Sequence, residues 1–113
     1  MSNNFRIDYI EFGCADINKA KEFYSSVFGW EFTDYGPAYS SFKDGRLDGG
    51  FTSQRSHEPG GALIVLYAES LEATETAVIK AGGDITKPIF SFPGGRRFHF
   101  TDPNGMEMAV WSE

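Results

Sequence analysis

The chain has 113 residues with 11 Phe among them, and its 16 acidic against 10 basic residues give a formal net charge of −6. This size and aromatic content fit one globular domain and exclude a disordered chain, while the acidic balance argues against a nucleic-acid-binding surface. No apolar run approaches the roughly 18 residues of a membrane helix, and the single cysteine excludes an internal disulfide. We therefore predict a small cytoplasmic domain without nucleic-acid or membrane partners.

The first half of the chain predicts one helix and four strands. Apolar residues recur at helical spacing between Asp16, a good N-cap, and Gly29, a good C-terminal stop. The dipeptide Asp44-Gly45 is typical of a tight hairpin turn between two of the strands. The four strands are expected near residues 5–14, 30–34, 38–43 and 47–53.

The second half repeats this order of elements. Its helix is expected from Ser70, the N-cap, to Gly82, and its last turn is Asp102-Pro103-Asn104-Gly105. A repeat of about half the chain predicts an α+β fold built from two βαβββ units. The strands of this half are expected near residues 62–68, 85–90, 96–101 and 105–112. We expect a single domain over residues 1–113, with units at about 5–53 and 62–112 and a polar connector at 54–61.

Strand parity predicts that each sheet has an apolar face, which packs on the helices, and a mixed face on its other side. Tyr9 and Glu11 alternate with apolar residues in the first strand, and His99 alternates with Phe98 and Phe100. Such a mixed face can be solvent-exposed, a dimer contact or the lining of a binding cup. Its predicted members are Tyr9, Glu11, Tyr67, His99, Glu107 and Trp111.

Two motifs give this repeat a family likeness. One is the helix from Asp16 to Tyr24 with Phe28-Gly29-Trp30 after it, and the other is the turn Asp102-Pro103-Asn104-Gly105. Together with the paired units they resemble the vicinal oxygen chelate superfamily, which includes glyoxalase I, extradiol dioxygenases, and bleomycin- and fosfomycin-resistance proteins. Gly49-Gly50-Phe51 and Ala109-Val110-Trp111 are most similar to the small glyoxalase-related proteins of that superfamily. The resemblance implies a curved mixed-sheet cup with the helices on its outer face.

The resemblance also implies where a metal ion would be held. In the metal-dependent members, two His or Glu residues from each half hold a divalent ion that polarises vicinal oxygens. Three of the corresponding positions hold Tyr9, Leu63 and Ala109, and the fourth lies within 49–53, where no His or Glu occurs. We therefore expect no metal ion, no other cofactor and no standard metal-dependent glyoxalase activity.

The sequence leaves one alternative metal site to consider. The two histidines, His57 and His99, could form a two-His, one-carboxylate site with Glu107 or Glu11. His57 lies in the polar connector and His99 in mid-strand, so the simpler interpretation is an exposed His57 and a His99 hydrogen-bonded on the sheet face. Cys14 has the helix-packed parity and is expected to be an inert buried thiol rather than a nucleophile.

The mixed face is therefore the predicted binding site. By analogy with bleomycin-resistance proteins, we predict a homodimer that binds an unidentified small molecule, cationic or neutral, without a metal ion. Arg97 shares the parity of His99 and would reach the rim of the site. The alternatives are a lyase or isomerase acting on a small carbonyl or hydroxy compound, and a structural dimerisation module. The predicted ligand-binding residues are Tyr9, Glu11, Tyr67, His99, Glu107 and Trp111, and the candidate acids or bases are Glu107, Glu11 and His99.

Overall fold

The fold consists of two βαβββ units that follow one another in the chain. The computed structural model describes residues 4–58 and 60–113. Residues 1–3 and Pro59, the latter in the predicted connector, lie outside this described part. The first unit contains β1 (Tyr9–Gly13), α1 (Ile17–Phe28), β2 (Glu31–Asp34), β3 (Tyr39–Lys43) and β4 (Asp48–Thr52), and the second contains β5 (Ile64–Tyr67), α2 (Leu71–Lys80), β6 (Asp84–Phe92), β7 (Gly95–Thr101) and β8 (Glu107–Ser112). The predicted α+β order of elements is confirmed.

The predicted strand bounds differ from the observed ones by up to four residues, and the start of β1 and the end of β6 show why. β1 was predicted from residue 5 but begins at Tyr9, where its pairing with Asp48 of β4 begins. Before that point Phe5 is fully exposed and has a left-handed φ of 70°, which is not a strand conformation. β6 is longer than predicted and reaches Phe92, because its pairing with β7 continues to the turn at Gly94.

Each unit forms its own four-stranded mixed sheet. The strand orders are β1-β4-β3-β2 and β5-β8-β7-β6. The first and last strands of each unit pair in parallel, and the other neighbours are antiparallel. A parallel pair needs a long crossover, which the helix of each unit supplies. β1 and β5 are consequently edge strands, each with one neighbour in its sheet.

Local capping signals place both helices where they were predicted. The Asp16 carboxylate accepts a hydrogen bond from the Lys19 backbone N–H at 3.1 Å, and Gly29 ends α1 in the left-handed conformation. The Ser70 hydroxyl accepts one from the Ala73 backbone N–H at 3.3 Å. No helix within residues 4–58 and 60–113 is long and apolar enough to cross a membrane.

The apolar faces of both units share one core, in which α1 is central. The Tyr24 ring stacks on Trp30 with centroids 4.7 Å apart and on Phe51 with centroids 5.4 Å apart. The neighbouring Phe23 ring lies 5.7 Å from Phe100 of the second unit. Burying each such ring contributes roughly 1.5–3 kcal/mol. The contact with Phe23 of α1 places Phe100 on the helix-packed face of β7, as its parity predicts.

A polar clamp also joins the two units. The carboxylate of Asp102 accepts hydrogen bonds from the backbone N–H groups of Asn104 and Met106, at 2.8 and 3.0 Å. Its second oxygen accepts one from the Tyr24 hydroxyl at 2.8 Å. The Asn104 side chain in turn accepts from the Asp16 N–H and donates to the Asp16 carbonyl, both at 2.8 Å. The Asp-Pro-Asn-Gly turn of the second unit thus holds the start and the middle of α1.

Removing the Asp102 carboxylate should destabilise the fold strongly. We expect Asp102→Ala to lower the free energy of unfolding by about 3 kcal/mol, because a buried hydroxyl and two turn N–H groups lose their acceptor. Asp44→Ala is the matched control, since Asp44 caps the corresponding turn of the first unit in solvent, by accepting from the Arg46 and Leu47 N–H groups. It should cost about 1 kcal/mol. Equal losses in urea unfolding would contradict the clamp.

The same carboxyl should leave a signature in the pH dependence of stability. Burial raises the pKa of Asp102 above its ordinary 3.8, although the hydrogen bonds that the carboxylate accepts act in the opposite direction. The folded chain therefore holds this proton more tightly than the unfolded chain. The part of the stability that comes from binding this proton is fully present below about pH 4 and is lost as the pH rises through the folded pKa, while the hydrogen bonds that the carboxylate accepts remain.

We expect the stability of the wild type relative to Asp102→Asn, which cannot titrate, to fall between about pH 4 and pH 7. Urea unfolding of both proteins across this range measures the difference. A difference that rises with pH would show that the hydrogen bonds outweigh burial.

Candidate functional site

A cleft of about 540 Å³ opens between the two units. β1 forms one wall, the start of β5 and the start of β8 form the other, and the connector runs along it. Glu11 of β1 and Glu107 of β8 both line this cleft, so one carboxylate from each unit reaches the same space. The connector adds three charged or titratable side chains, namely Arg55, His57 and Glu58.

Glu11 is held loosely in the cleft. Its nearest cationic group is the guanidinium of Arg55, at 4.0 Å, and the Arg55 side chain is 68% exposed. Ion pairs as exposed as this contribute little to stability, so Arg55 does little to fix the Glu11 carboxylate, which also accepts a hydrogen bond from the Tyr39 hydroxyl. Burial raises the pKa of the nearby Tyr39 hydroxyl, and its hydrogen bonds with Tyr9 and Glu11 raise it further.

The space beside Tyr9 is filled by a second tyrosine. The hydroxyl groups of Tyr9 and Tyr39 lie 2.5 Å apart and hydrogen-bond to each other. Both lie over Gly50, where an added Cβ would come within 2.3 Å of the Tyr39 oxygen and 2.6 Å of the Tyr9 oxygen. A side chain at this position would therefore displace the two hydroxyl groups from their present positions.

His99 and Glu107 form a second pair, on the mixed face of the other sheet. The Nδ1 atom of His99 lies 3.0 Å from a carboxylate oxygen of Glu107. The His99 side chain is 5% exposed and that of Glu107 is 50% exposed, so the buried ring anchors a carboxylate that reaches into the cleft. This agrees with the expectation of a His99 that is hydrogen-bonded on the sheet face.

The six predicted ligand-binding residues fall into two groups. Glu11 and Glu107 line the cleft. His99 hydrogen-bonds to Glu107, and Tyr9 hydrogen-bonds to Tyr39, which also bonds to Glu11. Tyr67 and Trp111 form a separate aromatic pair with centroids 5.2 Å apart, and the Tyr67 hydroxyl donates to the Glu113 carboxylate at 2.7 Å. Their common role as one ligand site stays a prediction.

The sequence interpretation missed three residues of this region, Tyr39, Arg55 and Glu58, and considered His57 only as a possible metal ligand. Arg55 and Glu58 lie in the polar connector, where the clustered charges are a usable signal. Tyr39 reaches Tyr9 only because β3 and β1 flank the same strand, β4. That neighbourhood depends on the strand order and has no local sequence signal.

Residues 6–110 match the sequence model of the Glyoxalase/Bleomycin resistance protein/Dioxygenase superfamily. The chain belongs to this superfamily. A Glyoxylase-like domain-containing protein of Didymella fabae is 30% identical over 115 residues, which cover 88% of each chain. The crystal structure of a superfamily enzyme from Burkholderia phytofirmans PsJN superposes with a TM-score of 0.81 at 18% identity, covering 94% of this chain and 98% of that one, and so supports the fold.

Some superfamily relatives are much longer than this chain. The Putative glyoxylase CFP32 of Mycobacterium tuberculosis (strain CDC 1551 / Oshkosh) is 26% identical over 118 residues, covering 92% of this chain and 44% of that protein. The chain therefore spans less than half the length of this relative.

The residues at the superfamily's metal-ligand positions do not fit a divalent ion. Tyr9 is bonded to Tyr39 over Gly50, Leu63 has no donor atom, and Ala109 is a fully buried methyl group. Within residues 4–58 and 60–113 no three His, Cys, Asp or Glu side chains converge on one point.

Cys14 lies outside the cleft, in the core beneath it. Its side chain is 2% exposed, and burial, together with the nearby Asp102, raises the thiol pKa to about 11.

We expect the Cys14 thiol of the folded chain to react with Ellman's reagent at pH 8 about two orders of magnitude more slowly than that of the urea-unfolded chain. The reacting species is the thiolate, and the raised pKa makes it rarer in the folded chain. Reaction of a cysteine-containing peptide in the same urea corrects for the solvent. Equal rates would show that the thiol is accessible in the folded state.

Proposed function

We propose that this chain binds a small organic molecule in the cleft between its two units, and that it does so without the superfamily's metal ion. The observation that carries the proposal is the convergence of Glu11 and Glu107, one from each unit, on a cleft of about 540 Å³. Small-molecule sites typically have volumes of about 300–1,000 Å³ and a few convergent polar groups.

The charge of the cleft supports a cationic or neutral ligand. Three carboxylates line it, from Glu11, Glu58 and Glu107, against one guanidinium, that of Arg55. Apolar surface from Phe12 and Leu63 completes the lining. A ligand with an apolar body and a positive group would satisfy both features.

A homodimer forms part of the same proposal. β1 and β5 are edge strands, and the apolar side chains along them are partly exposed, with Tyr9 at 43%, Val65 at 40% and Tyr67 at 51%. Unpaired edges that carry apolar side chains favour association with another chain. A chain whose single cysteine, Cys14, forms no disulfide is compatible with a cytoplasmic location.

Binding is tested with two cationic probes, benzyltrimethylammonium and metal-free bleomycin A2. We expect Glu11→Gln and Glu107→Gln each to weaken binding about fivefold, because a partly exposed ion pair contributes about 1 kcal/mol. Glu31→Gln is the matched control, since Glu31 is exposed on β2 and does not line the cleft. Isothermal calorimetry measures the affinities.

Two results would contradict this proposal. One is equal affinity of the three Gln variants, which would place any binding outside the cleft. The other is a divalent ion retained by the purified chain in native mass spectrometry. Native spectra also give the number of subunits, and a monomer at micromolar concentration would remove the dimer from the proposal.

An enzyme of the lyase or isomerase class is the second candidate, and the His99–Glu107 pair favours it. A carboxylate fixed by a buried imidazole at the edge of a cleft can act as a general base next to a carbonyl group. Conversion of the methylglyoxal–glutathione hemithioacetal to S-lactoylglutathione tests this activity. Turnover that is abolished by Glu107→Gln but retained in Glu31→Gln would favour the enzyme over the binding protein.

A dimer that binds neither cationic probe and turns over no hemithioacetal would favour a structural dimerisation module.

A further inference from the structure

Two adjacent polar side chains on β7 have unused hydrogen-bonding atoms. Arg97 and His99 are two residues apart on one strand, so both lie on the face opposite the buried Phe98 and Phe100. The Nε atom of Arg97 and the Nε2 atom of His99 are both buried and have no hydrogen-bond partner among the described residues. Buried polar atoms in folded proteins nearly always have a partner, so two such atoms side by side need an explanation.

Arg97 offers a positive charge that no carboxylate neutralises. Its guanidinium lies over the rings of Phe90 and Phe92, at 5.6 and 5.7 Å from their centroids. None of the ion pairs within residues 4–58 and 60–113 includes it. The preceding residue, Arg96, points to the other face and makes two hydrogen bonds to Glu72 at 2.7 and 3.2 Å.

His99 offers an acceptor beside that charge. Its Nδ1 atom bonds to the Glu107 carboxylate, which can only accept, so Nδ1 carries the proton. In the neutral ring the Nε2 atom is then a hydrogen-bond acceptor. The His99 ring lies 5.8 Å from the Phe90 ring, so Phe90 is a shared neighbour of His99 and Arg97.

We propose that this face of β7 binds a 2-hydroxy carboxylate with an apolar substituent. The carboxylate accepts from the Arg97 Nε–H, the hydroxyl donates to the His99 Nε2 atom, and the substituent packs against Phe90 and Phe92. Residues i and i+2 of a strand are about 7 Å apart, which such a ligand bridges with one hydrogen bond at each end. The proposal goes beyond the cleft ligand, since neither Arg97 nor His99 lines the cleft.

Access to the two atoms is controlled by β6. The pairing of β6 with β7 is irregular between Ile85 and Lys87 and again between Lys87 and Phe90. Phe90 and Phe92 are both only partly buried. Because these rings lie against Arg97 and His99 and are only partly buried, we expect a change in their rotamers to give a ligand access to the two nitrogen atoms. Bulged strands of this kind are common beside binding sites.

Three related probes separate the two contacts. Mandelate has both the carboxylate and the hydroxyl, phenylacetate lacks the hydroxyl, and mandelamide lacks the charge. We expect mandelate to bind about tenfold more tightly than phenylacetate, and mandelamide not to saturate at about 20 mM. For a millimolar site, about 20 mM mandelate should raise the Tm by about 5 °C.

The variants assign the site to the two residues. Arg97→Gln should abolish the Tm shift from mandelate, and Arg96→Gln, its matched neighbour on the opposite face, should leave the shift unchanged. His99→Phe should make mandelate and phenylacetate bind equally. In the wild-type protein, mandelate should shift the ¹⁵N resonances of Arg97 Nε and His99 Nε2, a readout that needs no variant to fold.

The proposal is overturned if mandelate leaves both ¹⁵N resonances unchanged at about 20 mM, or if mandelamide binds as well as mandelate. It is also overturned if Arg96→Gln loses the Tm shift and Arg97→Gln keeps it. Loss of cationic-probe binding in Glu11→Gln is a separate result and tests only the cleft, whereas Glu107→Gln also changes the hydrogen-bond partner of His99 Nδ1.

Discussion

The buried carboxylate of Asp102 is the contact on which the rest of the molecule depends. It closes the turn before β8 and at the same time binds the hydroxyl of Tyr24, which belongs to the other unit. Because the Tyr24 ring is fixed in this way, it stacks against Trp30 and Phe51 in a single orientation. The same turn ends at Met106, and Glu107 follows it directly into the cleft. Packing of the core and placement of the cleft carboxylate thus have one origin.

Different polar groups lie at different places on the mixed faces of the two sheets. At the cleft, carboxylates predominate, and they are partly exposed. Farther along β7, a guanidinium and an imidazole lie against aromatic rings. The bond between His99 and Glu107 connects the two regions, so a change in either region is felt by the other through one hydrogen bond.

Signals that act over a few residues were sufficient for most of the fold. Asp16, Gly29 and Ser70 delimit the helices through contacts with backbone groups at most a few residues away, and the sequence shows them directly. Strand parity likewise assigned Phe100 to the core and His99 to the opposite face. The site was harder to predict from the sequence, because parity gives the face on which a residue lies but not which residues of other strands lie next to it. Tyr67 and Trp111 therefore have the predicted parity and still lie apart from Glu11.

Gly50 limits which amino-acid substitutions the tyrosine pair beside it can accept. A side chain at this position would meet the hydroxyl oxygens of both Tyr9 and Tyr39. A histidine placed there to restore a metal ligand would first have to displace the tyrosine pair, and the released hydroxyls would lose their mutual hydrogen bond. The effects of substitutions at positions 9, 39 and 50 are therefore expected to be non-additive, since the three residues share one small space.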